Sequence, residues 1–215
     1  MAEGLVNSVS SGEAPDDRRI YGVVNAVVIT NCDKTFMGRV KVRFPWLPGY
    51  EPWARVATPM AGQKRGMFFI PQEGEEVLVA FNHGYLNEPF VVGSLWNGRD
   101  TPKEETAKDP INQRAIRTPE GHEIAFDDKA RTITITNPKG AKVTLAPEKI
   151  ELVIESSTIT LQKNGNITLK GETITLDAKT IDLKGKNVTI DGTGSTTIKG
   201  GANCKIDAAK IDIGL

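Results

Sequence analysis

The sequence has few aromatic residues, no net charge and few cysteines. Aromatics make up 6% of the 215 residues, and 27 Lys+Arg balance 27 Asp+Glu. A dedicated nucleic-acid binder carries a basic excess, so the balanced charge argues against that class. The two cysteines, Cys32 and Cys204, lie far apart in the chain. Their separation does not fit a zinc site or a disulfide framework.

Targeting and membrane-spanning segments are also missing from the sequence. The N-terminal residues MAEGLVNSVSSGEAPDDRR contain neither the basic region nor the apolar stretch of a signal peptide. No apolar run reaches the length of about 18 residues that a transmembrane helix needs. We therefore expect synthesis in the cytoplasm without a signal peptide. Delivery outside the cell would then require another machine.

The aromatic residues that are present lie almost entirely in the first half. All three Trp and all Phe except Phe126 precede residue 100. This shift in composition predicts two architectures. We expect a flexible arm over residues 1–17, a barrel domain over 18–98, a linker over 99–115 and a second domain over 116–215.

The first domain consists of short β-prone runs separated by Gly, Pro and Asn. In GRVKVRF, the residues Val40, Val42 and Phe44 alternate with three basic residues, which is the pattern of a half-buried strand. EEVLVAF (75–81) repeats this alternation. Six such runs, among them GMFFIP (66–71), predict an OB-type barrel of five or six strands in an all-β chain.

OB barrels often bind single-stranded nucleic acid through exposed aromatics and a basic groove. The basic residues Arg39, Lys41 and Arg43 form a candidate stripe for that role. The alternative is that they are the solvated face of an amphipathic strand. The absence of a basic excess favours the solvated face, so we expect no nucleic-acid partner.

Four motifs in the first domain occur together and in a specific order. They are RVKVRFPWL, WARVATPMAG, GMFFIPQEGEEVLVAF and PFVVGSLWNGRDTP, and IRTPEGHEIAFDD (116–128) follows them. This series resembles the baseplate spike family, which comprises phage baseplate assembly protein V and VgrG-type spikes. The resemblance implies an OB domain followed by an intertwined trimeric β-helix. It also implies a baseplate hub protein as the partner of the OB collar.

Apolar residues of the second domain recur in pairs spaced i, i+2, and the pairs repeat about every seven residues. A coiled coil needs apolar residues three and four apart, whereas here they are two and five apart. On a strand, residues i and i+2 share one face. With Thr, Asp, Lys and Gly between the pairs, each unit is predicted to be a short strand and a turn. The pairs from residue 152 onward are Leu152/Ile154, Ile159/Leu161, Ile167/Leu169, Ile174/Leu176, Ile181/Leu183 and Val188/Ile190.

Stacking is the only way for such a unit to bury its two apolar side chains. One solution is a single chain that coils with three strands per turn. That coil would be only about four turns long, with both ends exposed. The other solution is a triangular prism of three chains. The short length and exposed ends of the single-chain coil favour this prism, and so does the resemblance. The twelve paired residues listed above are then the predicted trimer core, in a needle on the order of 55 Å long. Longer spacers at 127–131 and 137–140 predict wider or partly antiparallel first rungs, from Ile124 to Leu145.

Residues that could support catalysis are scarce. The histidines His83 and His122 are far apart, and His122 is expected in a turn before a strand. No metalloprotease, nucleophile-elbow or phosphate-loop motif occurs. We expect no cofactor, no metal and no enzymatic activity. A β-helical enzyme acting on polysaccharide remains a rival, but no placed carboxylate pair supports it.

The sequence closes on the strand-like AAKIDIGL. Three such ends would expose strand edges and an apolar patch made by Ile211, Ile213 and Leu215, and exposed edges need a cover. The resemblance implies a PAAR-type tip protein docked there. The predicted function is a structural, homotrimeric spike at the centre of a contractile injection system, such as a phage tail, a type VI secretion system or an extracellular particle. The spike would transiently pierce a target membrane.

Overall fold

The structure, a computed structural model, describes residues 19–35, 37–103 and 111–212. The described chain is all-β apart from a short 3-10 turn at Asn82–Gly84. The predicted arm and residues 104–110 of the predicted linker lie outside the described residues. The strands are β1 (Val23–Thr30), β2 (Arg39–Arg43), β3 (Trp53–Val56), β4 (Ala61–Gly62), β5 (Arg65–Gly66), β6 (Glu76–Phe81), β7 (Pro89–Ser94), β8 (Gln113–Arg117), β9 (Glu123–Asp127), β10 (Thr132–Thr136), β11 (Lys142–Leu145), β12 (Lys149–Ile154), β13 (Ser157–Gln162) and β14 (Ile167–Lys170).

Five strands close into a barrel in the order β1-β2-β3-β7-β6. The alternating residues of β2 and β6 point inward as predicted, because Val40, Val42, Val77 and Val79 are completely buried. The ring of Phe44, which directly follows β2, is also fully buried and packs against the rings of Trp46, Tyr50 and Phe81. The all-β class and the OB-like barrel are therefore confirmed.

The run GMFFIP (66–71) does not form the barrel strand that was predicted for it. Only Gly66 belongs to a strand, the short β5, which pairs with β4 in a separate two-stranded hairpin. Phe68 and Phe69 are both exposed. Consecutive apolar residues point to opposite sides of an extended chain, so this run has no single face to bury in a barrel wall.

Strands β8 to β14 form a second sheet in which strand order follows the chain. The pairs from β10 to β14 are antiparallel. Three hairpin loops contain a glycine with φ of +87°, at Gly121, Gly140 and Gly165. Arg131 and Glu155 adopt the same left-handed region at two further reversals. Left-handed residues allow the tight reversal of direction that a short hairpin requires.

The first rungs, from Ile124 to Leu145, were expected to be wider or partly antiparallel. Antiparallel pairing is confirmed there, since Ile133 in β10 lies opposite Leu145 in β11. The antiparallel region continues further than predicted, to the end of β14 at Lys170. The predicted core residues from Leu152 to Leu169 therefore lie in hairpin strands. Their seven-residue spacing arises because a short strand and a tight hairpin loop together span about seven residues.

The described chain divides into two compact units. The first contains the barrel, ends at Arg114 and also includes residues 126–129. The second contains residues 115–125 and the chain from residue 130 onward. All buried hydrophobic residues of the described chain belong to the barrel, where they form one core.

Replacing Phe44 with Ala should strongly destabilise the barrel. The substitution leaves a cavity among three aromatic rings, and such changes cost about 3–5 kcal/mol of unfolding free energy. Chemical denaturation followed by tryptophan fluorescence measures this loss. Tyr21→Ala is the matched control, because Tyr21 is 78% exposed and surface substitutions usually stay within about 0.5 kcal/mol. Equal effects of the two changes would contradict the assignment of the core.

Candidate functional site

An uncovered apolar face on the second sheet is the main candidate site. The antiparallel register places ten apolar residues directly opposite one another, in two columns across β10 to β14. We call these ten residues the apolar ladder. The columns are Ile133, Leu145, Ile150, Leu161 and Ile167, and Ile135, Val143, Leu152, Ile159 and Leu169.

Burial on this sheet is inverted relative to an ordinary half-buried sheet. Every residue of the apolar ladder except Val143 is exposed. The opposite face carries Thr134, Thr144, Glu151 and Thr160 in register, and these polar residues are half-buried. A contiguous exposed apolar surface of this kind is typical of an interaction site. The sheet therefore presents to its surroundings the face that a soluble protein normally covers.

Beyond β14, residues 171–212 form what we call the extended segment. Bends interrupt it at Glu172, Lys179, 186–187, 193–194, 201–202 and Ala209, at intervals of seven or eight residues. Each predicted apolar pair lies between two bends. No residue of the described extended segment has the left-handed backbone that marks the hairpin loops. The chain consequently changes direction at each bend without folding back on itself.

Backbone hydrogen bonds are absent from the extended segment within one chain, as far as the structure describes it. Its ion pairs are local, with Lys184 bonded to Asp182 at 3.5 Å and Lys205 to Asp207 at 3.1 Å. Ordering the backbone costs about 1–2 kcal/mol per residue. Without hydrogen bonds or buried side chains, an extended chain of this length needs strand partners from elsewhere.

All twelve predicted trimer-core residues lie in these two regions, and each is 39–69% exposed in the single chain. Half of them lie on the second sheet. These six are Leu152, Ile154, Ile159, Leu161, Ile167 and Leu169. The other half lie in the extended segment. These six are Ile174, Leu176, Ile181, Leu183, Val188 and Ile190.

The short strands predicted around the six residues of the extended segment do not form within one chain. Leu176, Leu183 and Ile190 are 62%, 66% and 68% exposed, and none of them belongs to a strand. The physical reason is that a strand needs a hydrogen-bonded neighbour, and the bends of one chain do not supply one. The extended backbone and the seven-residue spacing agree with the expected unit. Burial of these residues in a trimer core stays a prediction.

On the sheet, the apolar face includes one residue that the prediction did not contain, and one predicted residue lies at the edge of that face; their burial in a trimer core stays a prediction. Sequence reasoning missed Ile150, which belongs to the apolar ladder. It chose Ile154, which lies opposite Ser157 at the hairpin end. Both residues fit the alternation of KIELVI, so only the pairing register distinguishes them.

The predicted tip residues are only partly within the structure. Ile211 is described and 55% exposed. Ile213 and Leu215 lie outside the described residues. Tip-protein docking at these three residues stays a prediction.

The basic stripe on β2 is largely neutralised. Asp33 accepts hydrogen bonds from the Arg39 guanidinium at 3.1 Å and from the Arg39 backbone N–H at 3.2 Å. Lys41 Nζ lies 3.2 Å from a carboxylate oxygen of Glu51. Two of the three cations are therefore occupied by carboxylates of the same barrel. This arrangement supports the solvated-face interpretation over a nucleic-acid groove.

Catalytic groups do not converge in the described part of the chain. No cluster of three or more His, Cys, Asp or Glu residues there has the arrangement of a metal site. His122 lies in a hairpin turn, where its backbone carbonyl accepts the Thr118 N–H at 2.9 Å. Within the described residues, no helix has the length and hydrophobicity to span a membrane.

The barrel has a known sequence signature. Residues 24–96, which run from β1 to just beyond β7, match the type VI secretion system/phage-baseplate injector OB domain. The barrel is therefore similar to an injector OB domain. The resemblance to the VgrG-like baseplate spike family is thereby confirmed for the domain that carries the motifs.

Several curated relatives are spike proteins. The type VI secretion system spike protein VgrG3 of Vibrio cholerae is 34% identical over 112 residues, which are 46% of this chain and 10% of that protein. The spike protein VgrG2a of Pseudomonas aeruginosa is 30% identical over 150 residues, which are 62% of this chain and 18% of the relative. The actin cross-linking toxin VgrG1 of Vibrio cholerae is 32% identical over 109 residues, 46% of this chain and 10% of that toxin.

The chain thus spans less than a fifth of the length of these relatives. Each alignment includes more of this chain than the matched domain at residues 24–96.

Acid should destabilise the barrel through Asp33. The Arg39 guanidinium and the Thr35 hydroxyl hold the pKa of Asp33 well below its ordinary value of 3.8. A depressed pKa stabilises the fold above the unfolded-state pKa, and this stabilisation is lost as pH falls below about 4. Calorimetry between pH 7 and pH 2 should therefore show a falling melting temperature in the wild type.

The variant Asp33→Asn should melt at a lower temperature at pH 7 and lose less stability on acidification. Asp191→Asn is the control, since Asp191 is an exposed residue of the extended segment. It should follow the wild-type pH profile of the barrel. Parallel pH profiles for Asp33→Asn and the wild type would contradict the proposed contribution of Asp33.

Proposed function

We propose that this chain forms a homotrimeric structural spike at the centre of the baseplate of a contractile injection system. The single observation that carries the proposal is the uncovered apolar surface of the second unit. It consists of the apolar ladder, which is exposed except at Val143, and the exposed apolar pairs of the extended segment. The injector OB domain and the spike relatives support the same function.

Further copies of the same chain are the simplest cover for this surface. Burying an Ile or Leu side chain contributes roughly 1.5–3 kcal/mol. Burial of the exposed pairs between chains would therefore strongly stabilise the assembly. The bends follow one another every seven or eight residues, as required if each short extended run lies on one side of a triangular prism. Three chains wound around one axis place all their apolar pairs toward that axis.

Strand pairing between chains also provides the missing hydrogen bonds. Extended runs of three chains stack along each side of the prism about 4.8 Å apart. Every inward residue then has an apolar neighbour, while Thr, Lys and Asp remain outside. The short Lys–Asp pairs of the extended segment fit that outer surface. The result is a stiff shaft whose core extends over its whole length.

Stiffness is the mechanism of the proposed spike. The injector OB domains form a collar that binds a baseplate hub protein, and a PAAR-type tip protein docks at Ile211, Ile213 and Leu215. Contraction drives the shaft against a target membrane, which is contacted transiently. The chain itself performs no catalysis and needs no cofactor in this proposal. The protein is assembled from the cytoplasm into a phage tail-like particle or secretion apparatus and leaves the cell with it.

An acidic substitution in the apolar ladder should prevent trimer formation. Light scattering of the wild type should give three times the 23.3 kDa of one chain. Ile159→Asp places a carboxylate from each chain at the predicted axis, and an uncompensated buried charge costs about 3–5 kcal/mol. We expect this variant to be monomeric or to aggregate.

Thr160→Asp is the matched control, because Thr160 is the next residue along β13 and lies on the opposite face. This variant should remain trimeric. A monomeric wild type would refute the spike. If both variants remained trimeric, the apolar ladder would not be the trimer core.

A further inference from the structure

The barrel exposes a patch of flexible apolar side chains that its own core does not use. We call it the methionine patch: Met37, Met60, Met67, Phe68 and Phe69. It surrounds a pocket of about 490 Å³. Phe68 is 79% exposed. Methionine side chains adapt their shape readily, so such a pocket can accept a large partner side chain.

The backbone holds the methionine patch in place. The Met67 N–H donates to the Met60 carbonyl at 2.9 Å, and the Thr58 hydroxyl donates to the Met67 carbonyl at 2.7 Å. Gly66 has a φ of +149°, and a Cβ there would lie 2.6 Å from the Met60 carbonyl oxygen. The hairpin is therefore built around a position that requires glycine. Its tip places two cations, Lys64 and Arg65, at the rim of the pocket.

A second exposed patch, the tryptophan patch, has the opposite charge. Trp96 is 72% exposed and borders a pocket of about 580 Å³. The pocket is also lined by Glu75, Glu76 and Asp100, with Arg99 as the cation of the lining. Arg99 is already engaged, since it donates to the Gly74 carbonyl at 2.8 Å and pairs with Asp100 at 2.9 Å. The tryptophan patch is consequently acidic around a large aromatic side chain.

Both patches lie at the same end of the barrel. The methionine patch follows β3 and precedes β2, and the tryptophan patch follows β7 and precedes β6. Strands β3 and β7 are parallel neighbours, while β2 and β6 run antiparallel to them. The two patches therefore lie on neighbouring strand pairs of the barrel.

We propose that the tryptophan patch of each barrel binds the methionine patch of the next copy in a head-to-tail ring. A closed ring of three copies needs two different, complementary patches on each chain. Here Trp96 fills the methionine pocket, while Glu75 and Glu76 face Lys64 and Arg65 of the neighbouring copy. Tryptophan is among the residues that most often dominate an interface. This inference rests on the proposed trimer and adds a second contact, made by the collar.

Chemical cross-linking of the full chain tests the contact. In a Cys32→Ser, Cys204→Ser background, Gln63→Cys and Ser94→Cys place one thiol beside each patch without removing a proposed contact residue. A short bismaleimide should convert the double variant into covalent dimers and trimers on a denaturing gel. Each single variant should stay as separate chains, because a head-to-tail contact does not bring identical residues together.

Adding Trp96→Ala to the double variant should remove most covalent dimers and trimers, while light scattering still reports a trimer held by the shaft. Tyr21→Ala, an exposed aromatic outside both patches, should leave the cross-linking unchanged. Trimeric protein that yields only single chains after cross-linking would overturn the ring contact and leave the spike intact. Monomeric wild-type protein would overturn the spike, and the ring contact with it.

Discussion

The need to cover an apolar surface governs the second unit of this protein. On the sheet, hydrogen bonding already joins the strands, but the apolar ladder remains exposed. In the extended segment, hydrogen bonds within the described chain are missing as well. The sheet therefore needs other chains only to cover its apolar side chains. The extended segment needs them for backbone hydrogen bonds as well. Folding of the segment and association of the chains are then one process.

The barrel follows the opposite principle. Its alternating strands close on themselves, so the core formed by Val40, Val42, Phe44 and Val79 is complete within one chain. In the described chain, no residue after Gly165 adopts the left-handed backbone of a hairpin loop. The extended segment therefore changes direction at its bends without folding back on itself. A self-sufficient domain thus precedes a segment whose backbone and apolar pairs one chain leaves without partners.

Most of the fold was predictable from residue periodicity. The alternation in GRVKVRF identified buried Val40 and Val42, and the i, i+2 pairs identified the apolar surface of the second unit. Periodicity did not show where hairpins give way to one-way bends, because both produce a seven-residue spacing. The decisive difference is turn chemistry, such as the left-handed Gly165. The exposed methionine patch was also missed, since Phe68 and Phe69 have the composition of a core strand and only the structure shows them outside the barrel.

Hydrogen exchange of the backbone amides of residues 171–212 reports whether the extended segment pairs with other copies. These amides have no backbone partner within the described chain, so any protection must come from pairing with other copies. In the proposed trimer, exchange should be slow in the extended runs around Ile174, Ile181 and Val188 and faster at the intervening bends. Exchange at the rate of an unstructured peptide throughout the segment, in protein at assembly concentrations, would contradict the proposed trimer.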